Sequence, residues 1–190
     1  MKTIVLASNN KGKIKEFRQL FKNDYEIITM SEAGFLDDVE ETGETFYENA
    51  LLKAKTVSEA LGVAVISDDS GLMVEALDGA PGVFSARYAG SHGNDADNKK
   101  LLLKNLQGVT DRRAKFHSTV LFYDIDGTII VGNGETHGEI MLEEVGTNGF
   151  GYDALFFSYD LQKSFGVATS EEKNSVSHRN RAIRDLLGKL

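Results

Sequence analysis

Phe46, Ala50, Ala54, Val57 and Leu61 recur at spacings of three and four, and Gly62 follows at once. This is a helix with one apolar face and a glycine stop. Val63-Ala64-Val65-Ile66 comes directly after it. That run is short and rich in β-branched residues, and it reads as a buried strand. A helix that must bury one stripe, joined so closely to a strand, constrains the fold more than any other stretch of the chain.

The beginning of the chain shows the same parts in the opposite order. Thr3 to Ala7 reads as a buried strand bounded by Ser8-Asn9-Asn10, and residues 13–21 switch to helical spacing through Ile14, Phe17, Leu20 and Phe21. Tyr25 to Thr29 is a second short strand. Gly79-Ala80-Pro81-Gly82 is a turn by composition, and Asn94 or Asp95 caps a helix through Leu106, ended by Gly108. Phe116 to Ile125 and Thr128 to Val131 read as paired strands around Asp126-Gly127. Gly146 to Gly151 is a glycine-rich loop followed by Ala154-Leu155-Phe156-Phe157. The predicted last helix starts at Ser177 and turns Ala182, Ile183, Leu186, Leu187 and Leu190 inward. The mixture predicts an α/β fold with a sheet that is partly parallel and partly hairpin.

Composition narrows the function. With 190 residues the chain can bury a real core as one domain or one two-lobed domain. The formal charge of −8 and the lack of a basic patch argue against duplex DNA as a partner. Cysteine is absent, which removes disulfides, thiolate catalysis and cysteine zinc sites. The first apolar run is too short for a signal peptide, and no stretch is long enough to span a bilayer. A cytoplasmic enzyme or binding protein, with no nucleic-acid or membrane partner, is the expectation.

Chemistry concentrates at Ser67-Asp68-Asp69-Ser70-Gly71, read as an acidic turn at the end of a buried strand. Adjacent carboxylates resist double ionisation unless a cation sits beside them. A polar turn and a magnesium site both satisfy the pattern. Successive strand side chains point to opposite faces, so one carboxylate of the pair faces any single metal. Asp37-Asp38-Val39-Glu40-Glu41 is either a solvated loop or the source of a second metal carboxylate. Ser8-Asn9-Asn10-Lys11-Gly12-Lys13 lies between strand and helix, where free amides and the positive helix end favour phosphate, although it lacks the Walker A spacing. Lys53 shares a helix face with Asn49 and, read alone, is a surface lysine. Phe150 and Tyr152, in Gly149-Phe150-Gly151-Tyr152-Asp153, either stack on a base or plug the core. His178-Arg179 opens the last helix, with Lys173 nearby.

Asp124-Ile125-Asp126-Gly127-Thr128 matches the nucleophile motif of haloacid-dehalogenase-like phosphatases. That motif feeds a helix near the start of a chain, whereas here the residues after it continue as strand. A hairpin turn accounts for it.

Together these segments resemble the noncanonical purine nucleoside triphosphate pyrophosphatases, the inosine triphosphatase or Ham1-like family, over nearly the whole chain. Ser8 to Lys13 with Glu16, Glu40-Glu41-Thr42-Gly43 with Phe46, Asn49, Ala50 and Lys53, and Ser67 to Leu72 carry the likeness. So do Gly79 to Gly82 with Ser85-Ala86-Arg87-Tyr88, Gly149 to Asp153, and Ser177-His178-Arg179. The resemblance implies a long mixed sheet in a two-lobed α/β domain over residues 1–190 with a cleft between the lobes, a homodimer, and hydrolysis of ITP, dITP or XTP to the monophosphate and pyrophosphate. It implies Mg2+ on Glu40 and Asp69, with Glu41 the other choice, Asp69 as general base and Asp68 in support. Ser8, Asn9, Asn10, Lys11, Gly12, Lys13 and Lys53 are then expected on the phosphates, and Ser70 positions the substrate. Phe150, Gly151, Tyr152, Asp153, Lys173, His178 and Arg179 are expected around the base. The rivals are a Maf-type nucleotide pyrophosphatase, opposed by Ser67 to Gly71 and Ser177 to Arg179, and a nucleotide-binding module without turnover, which does not need Asp68, Asp69 and Glu40 together.

Overall fold

The computed structural model describes residues 2–23 and 25–190. Its elements are β1 (Lys2–Leu6), α1 (Lys11–Phe21), β2 (Tyr25–Thr29), α2 (Phe46–Leu61), β3 (Val65–Val74), α3 (Asp95–Asn105), β4 (Arg113–Tyr123), β5 (Ile129–Ile140), β6 (Phe156–Ser158), β7 (Lys163–Ser164), α4 (Ser170–Val176) and α5 (His178–Leu187). The strands form a sheet ordered β2-β1-β3-β4-β5-β6-β7. β1 pairs parallel with β2 and β3, whereas β5–β6 and β6–β7 are antiparallel. The fold is therefore mixed α/β, as the alternation of periods predicts. Among the described residues no helix is long and apolar enough to cross a membrane.

The chain forms two compact units, the first from Met1–Asp69, Ser118–Gly134 and Arg179–Leu190, the second from Ser70–His117 and Glu135–His178. The first unit is three layers deep, and strand alternation builds them. Ile4 and Leu6 of β1, Ile66 of β3 and Val120 of β4 pack with Phe17 and Phe21 of α1 and with Ala182, Ile183 and Leu186 of α5. Their neighbours Val5, Val65 and Leu121 face the other way and pack with Ala50, Ala54 and Val57 of α2. The second unit encloses a core of Leu72, Val74, Leu102, Phe116, Ile140, Tyr152, Leu155, Phe156 and Phe165.

Local chemistry explains the helix ends. The Asn10 side chain accepts from the Lys13 amide, so α1 starts at Lys11, two residues before the predicted start at residue 13. Thr45 and Glu48 form a reciprocal capping box on α2, and Gly62 ends that helix at φ 67°. Asn94 caps α3.

Several expectations change. The acidic motif is not a turn: β3 runs ten residues, from Val65 to Val74, and Ser67 to Gly71 lies inside it. Polar residues hid this continuation, because a buried strand is normally recognised by apolar residues. Gly71 sits there because of its neighbours, since a Cβ would stand 2.2 Å from the Gly82 carbonyl oxygen and 2.6 Å from Ser85 Oγ. Ser85 Oγ accepts from the Leu72 amide at 2.9 Å and donates to Gly82 O at 2.6 Å, which ties the Gly79–Gly82 turn to β3. Leu190 lies beyond α5 and is half exposed instead of facing inward. The short helix α4 and the strand β7 escaped the sequence reading, because neither holds enough periodic residues to signal itself. Asp124–Thr128 is the exposed turn between β4 and β5: Asp126 accepts from the Thr128 amide at 2.8 Å, and Gly127 has φ 87°. The hairpin account of this motif stands.

Candidate active site

The site of the first unit follows from the pleat of β3. Ile66 faces α1 and α5, so Asp68 does too; Val65 faces α2, so Ser67 and Asp69 do too. The Ser67 hydroxyl donates to the Ala50 carbonyl of α2 at 2.6 Å. Adjacent carboxylates thus point to opposite sides of the sheet.

Asp68 is fully buried. Its Oδ2 lies 2.9 Å from Lys13 Nζ and 3.4 Å from an Arg179 amino group, and its Oδ1 accepts a short hydrogen bond from Ser118 Oγ. The Arg179 guanidinium also pairs with the buried Glu16 carboxylate. Burial opposes ionisation of Asp68, but Lys13, Arg179 and the Ser118 hydroxyl outweigh it and hold the carboxyl well below the usual range. Asp68 is a fixed anion with every side engaged.

Asp69 differs. Lys53 reaches the α2 side of β3 and donates to the Asp68 carbonyl at 2.7 Å. Its ammonium lies 3.4 Å from Glu41 and 3.8 Å from Asp69. Burial, with the negative Glu41 and Asp68 nearby, pushes Asp69 up to about 7 against the pull of Lys53 and Lys13. Burial opposes ionisation of Glu41 as well, yet Lys53, Lys13 and a hydrogen bond with Asp69 bring it below the ordinary value. Asp69 Oδ2 is buried with no hydrogen-bond partner among the described residues. A buried carboxylate oxygen left in this condition is suited to a cation. Glu41 is the second carboxylate at this place, whereas Glu40 is exposed. Among the described residues no group of three or more metal-ligating side chains forms. The oxygen pair of Asp69 and Glu41 fits a magnesium ion, which keeps several waters and is commonly held by one or two carboxylates and substrate phosphates.

The loop carrying Glu41 is held from α2. Asn49 Oδ1 accepts from the Gly43 amide at 2.7 Å, and a Cβ on Gly43 would stand 2.7 Å from that oxygen. At the other end, Ser8 Oγ accepts from the Asn10 amide, Asn9 bonds to Ser31, and Lys11 is exposed.

The second unit holds a separate cluster. Asp153 is buried and accepts from the Phe150 amide at 3.0 Å and from Lys173 Nζ at 2.7 Å. Lys173 Nζ stands 4.7 Å from the Phe150 ring centroid, a cation–π distance. Gly149 has φ 75°, and a Cβ there would stand 2.1 Å from Asp153 Oδ2. The Gly151 amide donates to Asp95 at 2.8 Å. His178 stacks on Phe116, with centroids 4.9 Å apart. Ser70 is half-buried at the start of this unit.

Geometry bears on three side chains. Tyr152 is part of the core, and its hydroxyl donates to the Ser85 carbonyl at 2.7 Å, so it anchors the aromatic loop instead of presenting its hydroxyl to a base. Arg179 is 1% exposed and pairs with Glu16 and Asp68. Glu41 takes the place expected of Glu40 beside Asp69. Reasoning from the sequence missed Ser118, Ser85 and Asp95 as partners, and gave Glu16 no role. Each is an ordinary polar residue until the fold brings its partner.

A buried Asp69 with the half-buried Glu41 beside it, close to Lys53, on an α/β sheet suits an enzyme acting on phosphoanhydrides. The sequence profile of the Ham1 family matches residues 4–189, and the chain belongs to that family. It is similar to the dITP/XTP pyrophosphatase of Listeria monocytogenes serotype 4b (strain F2365), 48% identical over 189 residues covering 98% of this chain and 93% of the relative. The dITP/XTP pyrophosphatase of Haemophilus influenzae is 47% identical and covers 98% of both chains. Among solved structures, the Staphylococcus aureus Ham1 protein superposes with a TM-score of 0.88 at 46% identity, covering 99% of this chain and 97% of that one. The dITP/XTP pyrophosphatase of Mycobacterium abscessus gives 0.78 at 38% identity, covering 97% and 98%.

Proposed function

We propose that this protein hydrolyses noncanonical purine nucleoside triphosphates, dITP, ITP and XTP, to the monophosphate and pyrophosphate, and so clears deaminated purines from the nucleotide pool. The relatives named dITP/XTP pyrophosphatase support the substrate class. The observation that carries the chemistry is the division of labour at β3: Asp68 is a saturated anion, while Asp69 has a free, buried oxygen and a raised proton affinity.

Lys13 and Lys53, with the amides at the start of α1, bind the phosphate chain. Asp69 takes the proton of the water that attacks the α-phosphorus, and pyrophosphate leaves. A carboxylate raised towards neutrality suits that task. Asp69 and Glu41 would hold Mg2+, which supplies charge neutralisation on the phosphates when bound. In the second unit Phe150 offers a face for the purine, held by Asp153 and Lys173. Lys173 and His178 supply donors for a 6-keto oxygen. Adenine places an amino group there, a donor facing donors, which disfavours ATP.

Incubation of the protein with Mg2+ and a panel of ITP, dITP, XTP, GTP and ATP tests this, with pyrophosphate and orthophosphate measured separately. Pyrophosphate release from the deaminated purines is expected. Orthophosphate alone would overturn cleavage at the α–β linkage, and equal rates on ATP and ITP would overturn the 6-keto selection. A cytoplasmic homodimer completes the proposal, and sedimentation velocity checks its oligomeric state.

A further inference from the structure

Ser118 lies fully buried on β4, two residues before Val120 and on the same face, towards α1 and α5. A hydroxyl in an apolar layer costs stability unless it is hydrogen-bonded. This one donates to Asp68 Oδ1. The Ser118 hydroxyl donates to Oδ1, while Lys13 at 2.9 Å and Arg179 at 3.4 Å lie against Oδ2. The terminal torsion of an aspartate is broad. The Ser118 bond to Oδ1 restricts that rotation. With Oδ1 tied to β4, Oδ2 is aimed at α1 and Lys13 Nζ is kept in one place. The Asp68 carbonyl also accepts from Lys53 Nζ at 2.7 Å, so one residue fixes both lysines.

We propose that Ser118 is a positioning residue: it orients Asp68, which holds Lys13 where the phosphate chain binds. The proposal rests on the reading of Lys13 as a phosphate ligand. It assigns Ser118 to substrate affinity through Lys13, while proton transfer is assigned to Asp69, on the opposite face of β3.

Two measurements test it on the full-length protein: calorimetric titration with inorganic pyrophosphate in the absence of metal, and steady-state kinetics on dITP with Mg2+. Ser118→Ala is expected to weaken pyrophosphate binding and raise KM by about tenfold each, a factor typical of losing one buried hydrogen bond to a charged group, with kcat changed by less than about threefold. Ser118→Thr keeps the hydroxyl and is expected to restore affinity. In a Lys13→Ala background, Ser118→Ala should raise KM no further, because its effect passes through Lys13. Unchanged affinity in Ser118→Ala, or an equal KM increase in the Lys13→Ala background, would overturn the proposal. Where the alanine variant does not fold, Ser118→Cys keeps the volume with a weak donor, and wild-type affinity in it is the overturning result. Pyrophosphate binding is read without turnover. A wild-type protein that binds pyrophosphate but hydrolyses no dITP therefore refutes the proposed activity alone.

Discussion

At the scale of single residues, the neighbouring charges decide which aspartate is reactive. Asp68 and Asp69 are neighbours in the chain and equally hidden, but one has its charge matched and the other does not. Asp69→Asn keeps the shape and removes the proton acceptor. It should lower kcat on dITP by about 10²- to 10⁴-fold, the usual contribution of a general base, while thermal melting shows a folded protein. Near-normal turnover would remove Asp69 from the chemistry. Gly149→Ala places a Cβ on Asp153 Oδ2 and on a left-handed backbone, so it should push Asp153 off Lys173 and cost about 1–3 kcal/mol. The readout is the ratio of kcat/KM for dITP over dATP, which should fall. Residue types at the site were legible in the sequence, because carboxylates, lysines and glycines in these spacings have few other uses. Their partners were not. Nothing in the sequence distinguishes Glu41 from Glu40 as the neighbour of Lys53, since only the path of the loop ahead of α2 turns one inward.

At the scale of elements, α2 acts as the mount for the Asp69 side of the sheet. Its buried stripe of Asn49, Ala50, Lys53, Ala54 and Val57 supplies apolar contact and two polar anchors. Removing the Thr45 half of its capping box by Thr45→Ala should cost about 1 kcal/mol, measured by urea unfolding, with turnover retained at temperatures where the variant stays folded. Gly43→Ala behaves differently. It forces the Glu41 loop away from Asn49, so the Mg2+ concentration needed for half-maximal activity should rise while KM at saturating Mg2+ changes little. An unchanged Mg2+ requirement would separate that loop from the metal. The helix itself was plain in the sequence, stop included, because its period is carried by large contrasts in polarity, whereas its Thr45 cap was not read. β3 was read only as far as Ile66, since the residues that make it functional are those that disguise it as a loop.

At the scale of the molecule, the ion pairs are also fastenings of the first unit. Arg179 is buried between Glu16 on α1 and Asp68 on β3, three elements far apart in the chain. Arg179→Met leaves two buried carboxylates short of a cation and should destabilise the fold by about 3–5 kcal/mol, seen as a fall in melting temperature of several degrees or more. A variant as stable as the parent would show that Lys13 and Ser118 suffice. The α/β class and the order of most elements could be read from periodicity, whereas the division into two units could not: it depends on contacts between segments as distant as residues 1–69 and 179–190. The sorting of Asp68 and Asp69 onto opposite faces of β3 also governs which changes of sequence this protein can accumulate. A substitution in the strand leaves the facing of the other side chains unchanged. A single inserted or deleted residue just before Ser67 would move every later side chain to the opposite face, bringing Lys13 and Lys53 the wrong carboxylates together. Length within that strand is thus a stricter inheritance than identity, and a lineage can rewrite its letters far more readily than shift its frame.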